Sequence, residues 1–515
     1  MPQEIDSYPY ESLEDYVDTL EEYGQLRRVD EPLSLDLEVG HVAKLNEQKH
    51  GPALLFENAL SHEEDPKRGG EPYEERRPVL SSALSEHERL ALSLGYTPDT
   101  EITEVIKAWA RRTEDGIPPE EVSSPACQDN VITGDDISAY DVPSPRIYPK
   151  DGGPYIGTAC YWITEDPDSG EVNLGTYRGM IDLEREDVVT FQPIAGKDLH
   201  KALNTYKERD EPMPVAMVPG GDPVLFLCGS TLFGEEEYDM AGALRGEPVK
   251  VTSGVEVDVP IPASAEWVIE GYVPPHDLRA EGPFGEYTGH HSKPQSPKPY
   301  VEIEAITHKD DPIQHTCTVG PPVTDIHQIQ SMNRSATMWN QLEAMNIEGI
   351  EGVYYYPGST GRFICVASID TQKHGHSTQV GTAMVSTKTG EYGLKTAIVV
   401  DDDVNPANIE EVLWALSVRM RPDVDVQILE RGRNTPLDPS YASSERDVLG
   451  AAFTGRLVID ATVPYEWPED EYPGVTELDE EIAADLEGRW EDLFADDVVE
   501  AAEEPSPPTA EATDD

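Results

Sequence analysis

The sequence RAEGPFGEYTG, at residues 279–289, places two carboxylates, Glu281 and Glu286, on either side of a Gly-Pro-Phe-Gly segment. Glycines and a proline so close together fit neither a helix interior nor a strand interior, so this stretch predicts a shaped loop. A rigid loop can hold two acids in different environments, which separates their pKa values and leaves one charged while the other carries a proton. A surface turn with two solvated glutamates is the alternative that the loop alone leaves open.

The charge balance of the chain is extreme. Its 515 residues include 38 Lys+Arg and 101 Asp+Glu, for a net charge of −63. This length predicts two or three domains. Such a surface repels phosphates, which argues against a nucleic-acid partner. Acids spread along the whole chain also repel one another unless salt screens them, so we interpret the composition as halophilic, adapted to a salt-rich cytosol.

The spacing of the cysteines and the length of the apolar segments predict where in the cell the protein is found. The five cysteines are widely spaced and form no CxxC pair, which argues against a disulfide framework or a zinc ribbon. The N-terminal residues lack a basic region followed by an apolar run, and no stretch approaches the roughly 20 apolar residues of a membrane span. The sequence therefore predicts a cytoplasmic protein without a membrane span.

The first part of the chain, residues 1–125, predicts an α/β unit. Apolar residues at helical spacing predict a helix over Ser12–Tyr23, with Ser12 and Asp15 as a capping pair. Ala53–Phe56 predicts a buried strand, and Glu101–Arg111 a further helix.

From about residue 130 the pattern changes to short apolar segments separated by Gly, Pro and Asp, which predicts a β-barrel or sandwich to about residue 310. The predicted strands include 158–164, 214–218, 224–228 and 249–259.

After residue 310 an α/β pattern returns. Ala397–Val400 predicts a buried strand, and Asn405 with Pro406 predicts the cap and first turn of a helix. The apolar face expected for that helix consists of Ile409, Val412, Leu413, Leu416 and Met420. Residues 478–493 predict one amphipathic helix, and the acid-, proline- and alanine-rich end from about residue 500 predicts disorder.

Common catalytic motifs are absent from the sequence: there is no GxSxG, GxxxxGK[ST], GxGxxG or HExxH. Asp401 to Asp403 follow a predicted strand, where carboxylates could hold Mg²⁺. A solvated acidic loop before a helix N-terminus is the alternative.

Four segments in order are similar to the UbiD family of decarboxylases, which use prenylated FMN. They are NLGTYR (173–178), EEYDMAGALRGEPV (236–249), PASAEWVIEGYV (262–273) and EGPFGEYTG (281–289). GPALLFEN (51–58) and VVDDDVNP (399–406) resemble further family segments, so the resemblance covers residues 10 to 465.

The resemblance implies an α/β (α+β) subunit in three parts. A central split β-barrel that binds the flavin and carries the catalytic residues would occupy 126–310, between an N-terminal α/β domain at 1–125 and a C-terminal α/β domain at 311–470. Residues 471–515 would form an acidic tail, disordered at its end, with one helix contacting a neighbouring subunit. A homo-oligomer, either a dimer or a hexamer, is implied.

The resemblance also assigns site residues. Arg178, Glu281 and Glu286 would be the catalytic set, and Asn173 and Glu237 would bind a divalent metal, Mn²⁺ or Mg²⁺, with K⁺ as a further candidate ion. Flavin contacts would come from Thr176, Tyr177, Arg178, Thr190, Phe191, Gln192, Ala195 and Gly196. Many family members have a histidine where this chain has Ile194, so Asp198 and His200 are candidates for the third ligand.

Simple chemistry agrees with these implied roles. Decarboxylation needs an electron sink that no side chain offers, so a cofactor must supply it. Arg178 would keep Glu281 ionised and orient the substrate carboxylate, whereas Glu286, expected to lack a dedicated cation, would deliver the proton.

The function implied is non-oxidative decarboxylation, or the reverse carboxylation, of an aromatic or α,β-unsaturated acid such as a hydroxybenzoate, with a flavin prenyltransferase supplying the cofactor. Two alternatives are a non-catalytic flavin-binding scaffold subunit of a carboxylase complex and a Mg²⁺-dependent hydrolase that uses Asp401–Asp403.

Overall fold

The computed structural model describes residues 3–112, 115–194, 196–231, 236–291, 293–441, 452–468, 471–476 and 478–493. The chain forms two compact units, Met1–Thr462 and Val463–Asp515. The boundaries at residues 125 and 310 lie inside the first unit and stay predictions, as does the boundary at 470.

The strands are short, and most lie in the first 320 residues. They are β1 Leu26–Val29, β2 Leu33–Ser34, β3 Ala53–Phe56, β4 Ala59–Leu60, β5 Val79–Ser81, β6 Glu120–Glu121, β7 Asn130–Thr133, β8 Tyr155–Gly157, β9 Cys160–Glu165, β10 Val172–Gly175, β11 Gly179–Ile181, β12 Val188–Phe191, β13 Met213–Pro219, β14 Lys250–Ser253, β15 Pro260–Pro262, β16 Trp267–Val273, β17 Arg279–Glu281, β18 Ser296–Lys298, β19 Tyr300–His308, β20 Gln314–Thr316, β21 Ile350–Tyr355, β22 Ile364–Ile369, β23 Thr396–Asp401, β24 Val426–Asn434 and β25 Ala452–Ala461.

The helices are distributed along the whole chain, with three of them between β12 and β14. They are α1 Leu13–Glu22, α2 Glu38–Glu47, α3 His87–Ser93, α4 Ile102–Arg112, α5 Asp198–Arg209, α6 Pro223–Gly229, α7 Glu237–Arg245, α8 Asp325–Ala344, α9 His376–Ser386, α10 Lys388–Glu391, α11 Ile409–Val418, α12 Glu480–Glu487 and α13 Trp490–Leu493.

The N-terminal elements follow the sequence pattern closely. Helix α1 begins after Ser12, whose hydroxyl and the Asp15 carboxylate form the predicted reciprocal cap. All four residues of β3 are buried, as predicted. Strand β3 lies between β1 and β5, and β20 completes this four-stranded sheet from much later in the chain.

The central sheet is curled and antiparallel, in the order β10-β9-β13-β16-β19-β12-β11-β8, with β7 also paired to β19. This half-barrel is the central fold that the resemblance predicted as a split β-barrel. Its interior contains a cluster of buried apolar side chains, including Trp162, Phe191 and Trp267. Strand β10 and the β10–β11 connection carry NLGTYR, so the curled sheet positions Arg178.

One predicted strand is wrong. Residues 224–228 lie in helix α6, where the Asp222 carboxylate accepts a hydrogen bond from Val224 N at 2.8 Å and Pro223 occupies the first turn. A short apolar run buried on all sides does not reveal its periodicity, so the cap and proline were the better signals. The segment 249–259 is also shorter than predicted, with a strand only at β14.

The C-terminal sheet has the order β21-β22-β23-β25-β24, and its inner strands β22, β23 and β25 are parallel. The helix predicted to start at Asn405 begins instead at Ile409, because the Asn408 carboxamide caps Glu410 N and Glu411 N. Its predicted apolar face is partly wrong: Val412 is buried, whereas Leu413 is 54% exposed.

The second unit contains two short helices, α12 and α13, where one continuous helix was predicted. Its apolar residues are exposed in the single chain, including Leu478 at 84% and Ile482 at 61%. The subunit contact predicted for this segment stays a prediction, and the tail from residue 494 lies outside the described residues. Within the described parts of the chain, no helix is both long and apolar enough to cross a membrane.

The net charge of −63 leads to a prediction about salt. We expect the midpoint of thermal unfolding to rise between about 0.1 M and molar KCl, because the screening length falls from about 10 Å to about 3 Å and neighbouring surface acids no longer repel one another. Circular dichroism melts would measure this, with sucrose in place of KCl as the control for solute exclusion. Equal midpoints at the two salt concentrations would contradict the halophilic interpretation.

Candidate active site

Arg178 lies between strands β10 and β11 and forms a bidentate ion pair with Glu281. Its Nε donates to Oε1 at 2.8 Å and its Nη2 donates to Oε2 at 2.9 Å. The Tyr177 carbonyl just before it accepts a hydrogen bond from Trp162 Nε1 at 2.7 Å, which fixes the backbone. The side chain of Glu281 is 1% exposed and that of Arg178 is 12% exposed. The planar guanidinium is therefore held by a matching carboxylate in a nearly dry environment.

Glu286 also contacts this arginine. Arg178 Nη1 donates to Glu286 Oε1, and the Glu286 side chain is 7% exposed. The expectation that Glu286 lacks a dedicated cation is therefore wrong, because one guanidinium serves both acids. Burial raises the pKa of Glu286 from its ordinary value, although the Arg178 charge opposes the shift. Glu286 thus differs from Glu281 in being held by a single guanidinium nitrogen.

The loop between the two acids is shaped as predicted. Gly282 has φ +85°, a conformation that L side chains rarely adopt. A Cβ on Gly152 would lie 2.1 Å from Gly282 O, so the two backbones approach as only glycine allows. Asp151 accepts hydrogen bonds from Gly285 N at 2.9 Å and from Tyr148 N at 2.9 Å. Both glutamates are buried, so the alternative of a solvated surface turn is wrong.

Two aromatic residues complete the network. The Tyr155 hydroxyl donates to Glu281 Oε1 at 2.9 Å. The ring centroids of Phe284 and Tyr155 lie 4.5 Å apart. Arg178 Cζ lies 4.9 Å from the centroid of the Phe284 ring. The sequence analysis missed Tyr155 because it lies in a strand more than a hundred residues from the loop. Phe284 was missed too, even though it belongs to the loop at residues 279–289.

Glu237, a predicted metal ligand in the first turn of helix α7, contacts the backbone of the residue that follows Asn173, the other predicted ligand. Leu174 N donates to Glu237 Oε2 at 3.0 Å, and Asn173 Nδ2 is buried without a hydrogen-bond partner. Burial raises the pKa of Glu237 to about 7. Carboxylate and amide oxygens are suitable ligands for a hard divalent cation.

The candidates for a third ligand have other partners. Asp198 pairs with Lys201 at 2.8 Å, and His200 Nδ1 lies 3.2 Å from Asn204 Nδ2. Ile194, at the position where many family members have histidine, is 39% exposed. The third ligand therefore stays unassigned.

Lys197 interacts electrostatically with Glu237 and with two arginines, Arg334 and Arg362, and the sequence analysis missed all three basic side chains. Burial, followed by the charges of Arg362 and Arg334, lowers the pKa of Lys197 to about 8. Arg362 Nε is buried without a hydrogen-bond partner. In the part of the chain that the structure describes, none of the three forms an ion pair, which is notable in so acidic a protein. Lys197 and Arg362 are half-buried, whereas Arg334 is buried and donates to the carbonyl oxygens of Thr389 and Tyr392. Cations that form no ion pair in such a setting are suited to an anion such as phosphate.

The residues predicted to contact the flavin lie in different environments. Gln192 has a buried carboxamide oxygen without a partner, and Gly196 has φ +87°. Thr190 and Phe191 are fully buried within the half-barrel, where Thr190 Oγ1 donates to Met180 O at 3.3 Å. Thr176 N donates to Gly229 O at 3.1 Å. Ala195 lies outside the described residues.

Two of the three acids in the alternative metal site, Asp401 and Asp403, pair with a buried arginine. Arg419 lies 3.2 Å from Asp401 Oδ2 and 2.6 Å from Asp403 Oδ2. Ion pairing of these acids with a fixed cation disfavours the hydrolase alternative.

Comparisons with known proteins agree along most of the chain. Three family profiles match: the N-terminal, Rift-related and C-terminal domains of the UbiD 3-octaprenyl-4-hydroxybenzoate carboxy-lyases, at residues 17–109, 120–322 and 327–461. A phenolic acid decarboxylase of Bacillus subtilis (strain 168) is 31% identical over 467 residues, which is 88% of this chain and 93% of that protein.

Solved structures resemble the whole subunit. The vanillic acid decarboxylase of Sedimentibacter hydroxybenzoicus, in open form, is 27% identical with a TM-score of 0.82 and covers 94% of this chain and 99% of that chain. An evolved dimeric form of the UbiD-class enzyme HmfF from Pelotomaculum thermopropionicum, in complex with prFMN, is 25% identical with a TM-score of 0.73 and covers 92% and 99%. The chain belongs to the UbiD family of carboxy-lyases.

Proposed function

We propose that this chain is a prenylated-FMN-dependent decarboxylase of an aromatic acid of the phenolic class. The observation that carries the proposal is the buried network in which Arg178 holds both Glu281 and Glu286. The similar proteins named phenolic acid decarboxylase and the prFMN complex of an HmfF form support the substrate class and the cofactor.

The residues of this chain fit such a cofactor. Asn173 and Gln192, in segments that the resemblance assigns to the metal and the flavin, each have a buried polar atom without a hydrogen-bond partner, and so does Arg362. A bound cofactor would supply these partners. Lys197, Arg334 and Arg362 would hold its phosphate, and Asn173 with Glu237 would hold a divalent metal beside that phosphate. When bound, prenylated FMN supplies the electron sink that loss of CO₂ requires.

The side chains then perform two tasks. Nη1 and Nη2 of Arg178 each carry a second N–H beyond those used for the glutamates, and these can orient the substrate carboxylate. Glu281, which itself accepts a hydrogen bond from the Tyr155 hydroxyl, holds the guanidinium in place. After CO₂ leaves, Glu286 transfers its proton to the carbon that carried the carboxylate. Burial of Arg178, Glu281 and Glu286 keeps water from competing for that transfer.

The proposal is tested by producing the full chain with a flavin prenyltransferase, as cofactor supplier, in high salt. We expect a flavin visible spectrum, the cofactor mass of prenylated FMN and CO₂ release from at least one phenolic acid of a panel. Chain produced without the prenyltransferase is the control. Light scattering would separately test for the oligomer that the family resemblance implies. A fully loaded chain that decarboxylates none of the acids would favour the scaffold alternative.

Cofactor binding should depend on Glu237 and on pH. Glu237 binds a metal only when ionised, above its pKa of about 7, and Lys197 attracts phosphate only when protonated, below its pKa of about 8. We therefore expect uptake of metal and flavin by cofactor-free chain to weaken in acid, as Glu237 becomes protonated, and to weaken in alkali, as Lys197 loses its charge. Glu237→Ala should lose both, whereas Glu236→Ala, on the exposed neighbour, should keep both.

Metal analysis and flavin absorbance after gel filtration would measure this uptake. Full flavin occupancy without a divalent ion in the wild type would contradict the metal assignment, and a pH-independent occupancy would contradict the roles of Glu237 and Lys197.

A further inference from the structure

A second group of side chains able to ligate a metal shares no residue with Asn173 and Glu237. His315, Cys317 and Asp325 each offer one ligand atom, and these three atoms lie within 4.8 Å of one another. His315 is in β20, Cys317 follows directly after that strand, and Asp325 is the first residue of α8. Residues two apart on a strand point to the same side, so the His-x-Cys spacing brings both side chains to one face.

All three side chains are removed from water. His315 is 2% exposed, while Cys317 and Asp325 are 0% exposed. His315 Nε2 and Asp325 Oδ2 have no hydrogen-bond partner in the structure. Buried polar atoms are normally paired, and an unpaired one costs about 1–3 kcal/mol in general. Two such atoms in one small cluster are suited to a cation, which can accept a lone pair from each.

Other contacts hold each member of the cluster in position. Asp325 Oδ1 accepts a hydrogen bond from Leu84 N at 2.6 Å, and Cys317 N donates to Thr158 Oγ1 at 3.0 Å. The His315 ring packs edge-on against Phe226, with 5.7 Å between centroids. This arrangement limits the rotation of the ligands before any ion arrives, which favours binding.

We propose that His315, Cys317 and Asp325 bind one Zn²⁺ through an imidazole nitrogen, a thiolate sulfur and a carboxylate oxygen. A neutral imidazole with one thiolate and one carboxylate balances the two positive charges, so the occupied site is neutral and suited to burial. Binding displaces the thiol proton, and a water can complete the tetrahedron. Ligand atoms around tetrahedral zinc lie about 3.3–3.8 Å apart, so inward movements of at most about 1 Å suffice.

This site would act on the fold and is separate from the proposed decarboxylation chemistry. Strand β20 belongs to the N-terminal sheet, and α8 is the long buried helix that leads into the C-terminal part of the chain. A zinc ion between them would tie these two parts together. We therefore expect it to change thermal stability in chain that carries no flavin.

The test uses Co²⁺ as a spectroscopic probe on the full, chelator-stripped chain produced without the prenyltransferase. We expect a cobalt–thiolate charge-transfer band that saturates at about one equivalent, is lost on adding Zn²⁺, and forms with release of about one proton. Asn173 and Glu237 offer no sulfur, so a metal bound there gives no such band. Cys317→Ala should abolish the band, whereas Cys365→Ala, at another fully buried cysteine, should keep it.

Zn²⁺ should also raise the midpoint of thermal unfolding of the wild type and Cys365→Ala, but leave that of Cys317→Ala unchanged. Far-UV circular dichroism checks that the variants fold. The absence of a cobalt–thiolate band in the wild type overturns the proposal. This Co²⁺ titration of the wild type tests the proposal even if Cys317→Ala does not fold. A band that persists in folded Cys317→Ala overturns it equally.

Discussion

Glu286→Gln is expected to lower turnover by about 10²- to 10⁴-fold, the usual contribution of a positioned general acid. Glutamine keeps the size of glutamate and can still accept the hydrogen bond from Arg178, but it has no proton to deliver. Flavin occupancy and substrate affinity should therefore stay near those of the wild type.

Two measurements would test this role of Glu286. Product formed in deuterated solvent should carry deuterium at the carbon that lost CO₂. The rate of deuterium incorporation should be lower in Glu286→Gln than in the wild type, by the same factor as turnover. In the wild type, turnover should fall as the pH rises through the raised pKa of Glu286, because only the protonated acid can act. Glu184→Gln, an exposed acid paired with Arg279, is the matched control. Near-normal turnover of Glu286→Gln would show that the proton comes from another group.

The resemblance to the UbiD family predicted that Arg178, Glu281 and Glu286 act together, and it could be matched residue by residue because the loop and the NLGTYR segment are each local. Two glycines and a proline report backbone shape directly, and Arg178, Glu281 and Glu286 do meet in the structure. The sequence could not show that one guanidinium contacts both acids. That sharing depends on how the curled sheet brings the β10–β11 connection against the loop, and no local pattern encodes such a distance.

The basic side chains were missed for a similar reason. Lys197 lies near the start of α5, whereas Arg334 and Arg362 belong to the C-terminal part of the chain. Nothing in the spacing of these residues links them, and they become one group only through the tertiary fold. The same limit applies to Tyr155, whose hydroxyl reaches a glutamate that is far from it in sequence.

Errors in secondary structure had local causes. The apolar run at 224–228 carries no periodicity, so it fits a buried strand and a buried helix equally well. At α11 two asparagines compete for the cap, and Asn408 is used because its carboxamide reaches two backbone amides. The exposed Leu413 on that helix shows that an apolar stripe need not face the core of its own chain.

Arg178→Lys is the second change with a large expected effect. Lysine keeps the positive charge but loses the planar fork that serves Glu281 through two nitrogens and Glu286 through a third. Two buried carboxylates would then share one ammonium, which cannot also hold a substrate carboxylate in a bidentate geometry. Each charged hydrogen bond lost contributes about 1.5–3 kcal/mol, or roughly 10- to 100-fold.

We therefore expect Arg178→Lys to lower kcat/KM by about 10²- to 10⁴-fold, for two lost bonds to the substrate, with a higher KM as well as a lower kcat. This pattern would distinguish it from Glu286→Gln, which should change kcat alone. Arg279→Lys, in strand β17 beside Glu281 but paired with Asp182 at 2.5 Å, is the control for the same chemical change nearby. Steady-state kinetics on flavin-loaded protein would measure both constants. A variant with near-normal KM would mean that Arg178 does not bind the substrate carboxylate, and the guanidinium would then serve only to hold the two glutamates.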